Sequence, residues 1–144
     1  SEFDEISARH RLEKIKTLGD AFMCAGGLPV ENDTHAFDAV LAAREIINFI
    51  HHFNALKPLE EQVQIRIGIH TGPVIAGIVG IHKFAYDIWG DTVNIAARLE
   101  QAGEPGKINI SESTYQRIRS SVECLSRGKI NAKYKGEINM YYVT

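Results

Sequence analysis

Apolar and polar positions along this chain change period several times, and each change marks an element. Leu12 to Thr17 alternates as a strand, Leu18-Gly19-Asp20 has the composition of a turn, and Ala21 to Ala25 alternates again, which predicts a hairpin. Ahead of it, Glu2 to Arg11 reads as the end of a helix. From Asp33, a capping type of residue, Ala36, Val40, Ala43, Ile47 and Ile50 recur at helical spacing as far as Asn54, and Pro58 closes that helix. Val63 to His70 reads as a strand, Thr71-Gly72-Pro73 as a turn, and Val74 to Val79 as the returning strand. A strand at Phe84 to Trp89 leads into a helix at Thr92 to Ala102, ended by Gly103 with Pro105 beyond it. Ile108 to Ile110 is a short strand and Ser111 to Arg119 a short helix. Val122 to Val143 holds two or three strands that turn near Lys135-Gly136. The sum is an α+β domain, a mainly antiparallel sheet with helices packed on one face.

The segment from Phe84 to Glu100, FAYDIWGDTVNIAARLE, departs most from a simple core pattern. Asp is depleted from strands because its charge is costly to bury, so Asp87, between Tyr86 and Ile88-Trp89, requires a donor. After Gly90, Asp91 or Thr92 can cap a helix, and Asn94 and Arg98 then fall at i and i+4 on one side of it. Val93, Ile95, Ala96, Ala97 and Leu99 make most of that helix apolar, which leaves Asn94 and Arg98 as a narrow polar stripe. The first hairpin carries a second cluster. Lys14 and Lys16 flank Ile15, and Asp20 stands just past Gly19, a carboxylate displayed at a tight turn. Either cluster by itself is compatible with an ordinary turn, edge or solvated face.

Composition narrows the function classes. The 144 residues fit one domain, and a net charge of −2 with scattered lysines and arginines does not resemble the basic footprint of a nucleic-acid binder. The longest apolar run, Val74 to Ile81, falls far short of the ~20 residues of a membrane span, so the chain is expected to be soluble and cytoplasmic. Cys24 and Cys124 sit in separate apolar contexts, which predicts reduced thiols. Phosphate-loop, HExxH and GxSxG motifs do not occur. His70 is expected to be a hydrogen-bonded core residue, and His51-His52 to lie on the exposed side of its helix.

Four segments together, EKIKTLGDAF (Glu13 to Phe22), RIGIHTGPVIAG (Arg66 to Gly77), YDIWGDTVNIAAR (Tyr86 to Arg98) and SRGKINAKYKGE (Ser126 to Glu137), resemble the class III nucleotidyl cyclases, the adenylyl and guanylyl cyclase catalytic domains. They follow the family's order across nearly the whole chain. The resemblance implies a ferredoxin-like sheet and a catalytic domain over residues 1–144. It also implies in-line attack of a ribose 3′-hydroxyl on the α-phosphate, giving a 3′,5′-cyclic nucleotide and pyrophosphate. Asp20 matches a carboxylate that helps hold two metal ions, usually Mg²⁺ and possibly Mn²⁺. Asn94 matches the residue that orients the ribose, and Arg98 the one that stabilises charge on the α-phosphoryl group. Arg66 and Lys133 match positions that contact the β- and γ-phosphates. Lys16 and Asp87 match the base-reading pair. A lysine can only donate and an ionised aspartate only accept, which complements N1 and N6 of adenine, whereas guanylyl cyclases of the family usually carry Glu and Cys there. ATP is therefore the expected substrate.

The resemblance further implies a head-to-tail homodimer, with Asp20 and Arg66 from one subunit and Lys16, Asp87, Asn94, Arg98 and Lys133 from the other. Sensor or membrane segments would lie upstream in a longer parent. Two departures bear on activity. The family's Phe-x-Asp-Ile-x-Gly-Phe segment, which holds the first metal carboxylate, is absent. Phe3-Asp4-Glu5-Ile6 lacks the Gly-Phe, so the domain is expected to be incomplete at its N-terminus, missing its first strand and the helices that follow. Tyr134 stands where the family commonly has Gly. The alternative function is a catalytically inactive module that binds nucleotide or a partner domain.

Overall fold

The computed structural model describes residues 1–133 and 135–144, and Tyr134 lies outside the described residues. Helix α1 (Glu2–Arg9) opens on a capping box in which the Ser1 hydroxyl accepts from the Asp4 amide and the Asp4 carboxylate answers at the Ser1 amine. The expected hairpin follows. Strands β1 (Leu12–Leu18) and β2 (Ala21–Gly26) pair antiparallel around the Gly19-Asp20 turn, with an irregularity between Lys14 and Lys16. Helix α2 (His35–Ala55) is the long amphipathic helix, and Thr34 rather than Asp33 occupies its N-cap.

Strand β3 is shorter than its apolar pattern suggested, Ile67–Ile69, and its partner differs from the expected one. Strand β4 (Ile75–Val79) does not return along β3. It pairs antiparallel with β5 (Ala85–Trp89), placing Gly77 opposite Asp87, while β3 runs parallel to β6 (Ile108–Ser111). Thr71-Gly72-Pro73 therefore joins two sheets, and its turn-like composition serves a crossing loop. Helix α3 (Asp91–Ala102) and helix α4 (Glu112–Ile118) precede strands β7 (Cys124–Ala132) and β8 (Gly136–Val143). The N-cap of α3 is Gly90, so neither Asp91 nor Thr92 caps it. Ser111 caps α4 by accepting from the Thr114 amide.

The central sheet has the order β3-β6-β8-β7 and is flanked by the two hairpins β1-β2 and β4-β5. The α+β class holds, and its helices divide between faces. On one face, Ala36, Val40 and Ala43 of α2 pack with Ile108 and Ile110 of β6 and Ile118 of α4. On the other, Ile95 and Leu99 of α3 pack with Ala132 and Met140. Period-two alternation explains the division: Asn109, between the two isoleucines, points the opposite way and its Nδ2 donates to the Leu99 carbonyl at 2.8 Å. All four residues of β6 are buried as a result. A further core of Ile6, Leu12, Ala42 and Ile46 fastens α1 and β1 to α2. Cys24 and Cys124 are free thiols, and no helix among the described residues is long and apolar enough to cross a membrane.

Candidate active site

Asp87 lies mid-strand in β5, where its carboxylate would be costly without donors. Two are supplied. Lys16 Nζ, reaching over from β1, donates to Asp87 Oδ2 at 3.0 Å, and the Ile88 amide donates to Oδ1 at 2.8 Å. The Asp87 side chain is 16% exposed and that of Lys16 37%. The hydrogen bond from Lys16, helped by the Ile88 amide, holds the Asp87 carboxyl below the usual carboxylate range against the opposing effect of burial. The pair still has capacity: an ammonium carries three donors and a carboxylate about four acceptor positions, and only some of these are used. Across the ladder, Gly77 offers no side chain over Asp87, and the Trp89 ring lies at van der Waals distance from where a Gly77 Cβ would stand.

Helix α3 starts two residues beyond β5. Ile95 and Leu99 turn inward, so Asn94 is presented outward and Arg98 sits half-buried one turn further on. Arg98 Nη1 donates to the backbone carbonyl of Asn131 at the end of β7, which directs the guanidinium toward the β7–β8 turn. Lys133 lies in that turn, exposed. A guanidinium has five N–H donors in a planar fork, and this bond engages one of its nitrogens. Arg66 lies ahead of β3, where its Nε meets Glu100 Oε2 of α3 at 3.0 Å. Asp20 is exposed at the tip of the β1–β2 hairpin.

Of the residues singled out in the sequence, Lys16 and Asp87 are in direct contact, and Asn94 and Arg98 share one side of α3. The fold brings Arg98 to the strand that ends next to Lys133. Arg66 is engaged with Glu100 instead. The carbonyl of Asn131, which orients Arg98, left no trace in the sequence, because a backbone acceptor has no residue signature. His70 is the core histidine expected, with Nδ1 2.7 Å from Ser111 Oγ, and burial followed by the charge of Lys135 pushes its pKa down. His51 and His52 are both exposed, as expected.

Among the described residues, no group of three or more His, Cys, Asp or Glu is arranged to hold a metal ion. Asp20 nevertheless presents hard oxygen donors in the open. That suits a small divalent ion, which keeps several waters and takes one or two carboxylates together with substrate phosphates.

The family model for the adenylate and guanylate cyclase catalytic domain matches residues 1–144. The adenylate cyclase of Mycobacterium bovis is 37% identical over 143 residues, which cover 99% of this chain and 32% of that protein. Among solved structures, the guanylate cyclase domain of RhGC from Catenaria anguillulae in complex with GTP superposes with a TM-score of 0.86 at 38% identity, covering 99% of this chain and 78% of that one. The non-canonical dimeric guanylyl cyclase domain of the RhoGC fusion protein from the aquatic fungus Blastocladiella emersonii matches with a TM-score of 0.85 at 34% identity, covering 99% and 76%. The chain spans a third or less of the curated relatives it matches.

Proposed function

This chain belongs to the adenylate and guanylate cyclase catalytic domain family, and on that premise we propose that it converts ATP to 3′,5′-cyclic AMP and pyrophosphate. Its relatives include both adenylate and guanylate cyclases, and members of the family in general use divalent metal ions. The observation that carries the choice of ATP is the Lys16–Asp87 pair at 3.0 Å. It sets a pure donor beside a carboxylate held ionised, and hence a pure acceptor. Adenine presents an acceptor at N1 and a donor at N6. Guanine presents the inverse at N1 and O6, which would set donor against donor and acceptor against acceptor. A site built for one pattern strongly rejects the other, because mismatched groups are left unpaired.

The remaining roles are those that the family resemblance implies. Asn94, outward on α3, would orient the ribose. Arg98, anchored through one donor to the Asn131 carbonyl, would direct its free donors at the α-phosphoryl group as charge develops there, without reorganising at the moment of reaction. Arg66 and Lys133 would meet the β- and γ-phosphates. Asp20 would hold the divalent ion, Mg²⁺ or Mn²⁺, which when bound supplies charge neutralisation at the phosphates and acidifies the attacking hydroxyl. A head-to-tail homodimer in the cytoplasm, Asp20 and Arg66 given by one subunit and the other five residues by its partner, is the assembly we propose. It is supported by the apolar surface of the β4–β5 arm, where Ile75, Ile78, Ile81 and Phe84 are each more than 70% exposed.

The test is exchange of the base-reading pair. Lys16→Glu with Asp87→Cys should lower cyclic AMP formation from ATP and raise cyclic GMP formation from GTP. An unchanged preference for ATP in that double variant rejects the assignment. A second reading, nucleotide binding without turnover, is favoured because, among the described residues, Asp20 belongs to no group of acidic residues arranged to hold a metal ion. Saturable ATP binding with no product in Mg²⁺ or Mn²⁺ would select it.

A further inference from the structure

We infer that the Thr71-Gly72-Pro73 loop, pinned from beneath by His70 and the α4 N-terminus, is the seat that positions α3, and that Thr92 is the residue through which it acts on Asn94 and Arg98. The inference rests on the assignment of those two residues to the cyclase reaction.

The chain of contacts starts in the interior. Ser111 and Thr114 are fully buried, and His70 Nδ1 is 2.7 Å from Ser111 Oγ. Ser113 Oγ donates to the Thr71 carbonyl at 2.8 Å, and the hydroxyls of Thr71 and Thr114 are 2.8 Å apart. The end of β3 and the loop after it are thereby tied to β6 and the start of α4 by buried and half-buried side chains, where solvent competes less and an unmade bond is costly. Two residues on, the Pro73 carbonyl accepts from Thr92 Oγ1 at 2.6 Å. The fit is close: a Cβ on Gly72 would stand 2.6 Å from that same hydroxyl oxygen.

Thr92 lies in the first turn of α3, and that turn has no side-chain N-cap, since Gly90 holds the cap position. The bond to Pro73 thus does the fixing that a cap would do, but to a neighbouring loop instead of the helix's own amides. The same strand holds the helix a second time. At Gly68 a Cβ would fall 2.6 Å from the Ala96 carbonyl and 2.8 Å from Glu100 Cα, so β3 and α3 meet backbone to backbone. Asn94 and Arg98 sit between and within these two points of support, at 92 and at 96–100. His70 lies between Gly68 and Gly72 and secures the rail they belong to. A reaction that depends on donor placement is sensitive to such a mount, because a displacement near 1 Å can reduce the rate on the order of 100-fold.

Thr92→Val removes the hydroxyl with little change of shape, and Thr92→Ser retains it. His70→Phe removes the half-buried ring nitrogen that meets Ser111, and His70→Asn keeps a polar group near the Nδ1 position. Two readouts are taken on the whole chain: amide hydrogen exchange over residues 93–98, and kcat and KM for cyclic AMP formation. Thr92→Val and His70→Phe should exchange faster over 93–98 and lose on the order of 10- to 100-fold in kcat. KM for ATP should move less than about threefold, because the base-reading pair is untouched, and Thr92→Ser and His70→Asn should recover most of both effects. Unchanged exchange in Thr92→Val, or a kcat loss that Thr92→Ser does not recover, overturns the inference. If the native chain forms no cyclic nucleotide, the proposed reaction fails on its own account, and the exchange comparison alone decides whether the loop seats the helix.

Discussion

A carboxylate halfway along a strand is held ionised by whichever donors its neighbours supply, and at Asp87 one of them comes from a separate hairpin. That makes its titration a direct report on the Lys16 contact. The folded carboxyl titrates below its unfolded value, so the pair contributes stability at pH above the ordinary carboxylate range and loses it as pH falls through the depressed folded value. Followed by NMR, Asp87 should titrate below the reference value of about 3.9, and Lys16→Met should bring it back up toward that value. The shift should survive only in part, through the Ile88 amide. A midpoint identical in the two proteins would mean that Lys16 does not face Asp87 in solution. The need for this donor was legible in the sequence, because an aspartate among Tyr86, Ile88 and Trp89 has few ways to be solvated. The anchor on Arg98 was not legible, since the Asn131 carbonyl is a group every residue possesses.

At the scale of elements, local chemistry was readable and pairing was not. The β1–β2 turn, the long helix α2 and the polar stripe of α3 all rest on periods and breakers contained within about 20 residues, and each stands where the pattern put it. The strand before the Thr71-Gly72-Pro73 loop finds its partner some 40 residues downstream in β6, and parallel pairing across that distance leaves no local signature. The loop looked like a hairpin turn because Gly and Pro are needed at close crossings as well as at tight turns. The backbone contact at Gly68 gives the crossing an energetic test. Gly68→Ala would press a methyl group onto the backbone of α3, an overpacking that costs roughly 1 to 3 kcal/mol. Gly77→Ala, where the nearest atom to the new Cβ is a Trp89 ring carbon at 3.6 Å, should be destabilising by less than about 1 kcal/mol, within the ordinary range of strand propensity. Urea denaturation of the two variants should therefore separate them. Equal midpoints would show that α3 is not held against β3 at Gly68.

For the molecule as a whole, the question is what covers the β4–β5 arm. Ile75 is 71% exposed, Ile78 71%, Ile81 86% and Phe84 72%, on an arm whose two strands, among the described residues, form a ladder only with each other and lie outside the central sheet. Full burial of one such side chain is worth roughly 1.5 to 3 kcal/mol, so several from each of two chains would supply free energy comparable to the roughly 4 to 15 kcal/mol that association costs. The net charge of −2 per chain opposes this only weakly at physiological salt. If the arm closes a two-subunit site, catalysis and assembly must have the same concentration dependence. Cyclase activity per chain should be constant above the dimer dissociation constant measured by sedimentation and fall in proportion to concentration below it. Phe84→Asp with Ile81→Asp should shift both curves together to higher concentration while leaving the circular dichroism spectrum and the Asp87 titration in place, because neither side chain belongs to a buried core. Activity per chain that stays constant through the dissociation midpoint would assign the whole reaction to one subunit. Asp20 and Arg66 would then have to serve the same cleft as Lys16 and Asp87 within a single copy, and the apolar arm would need a different partner.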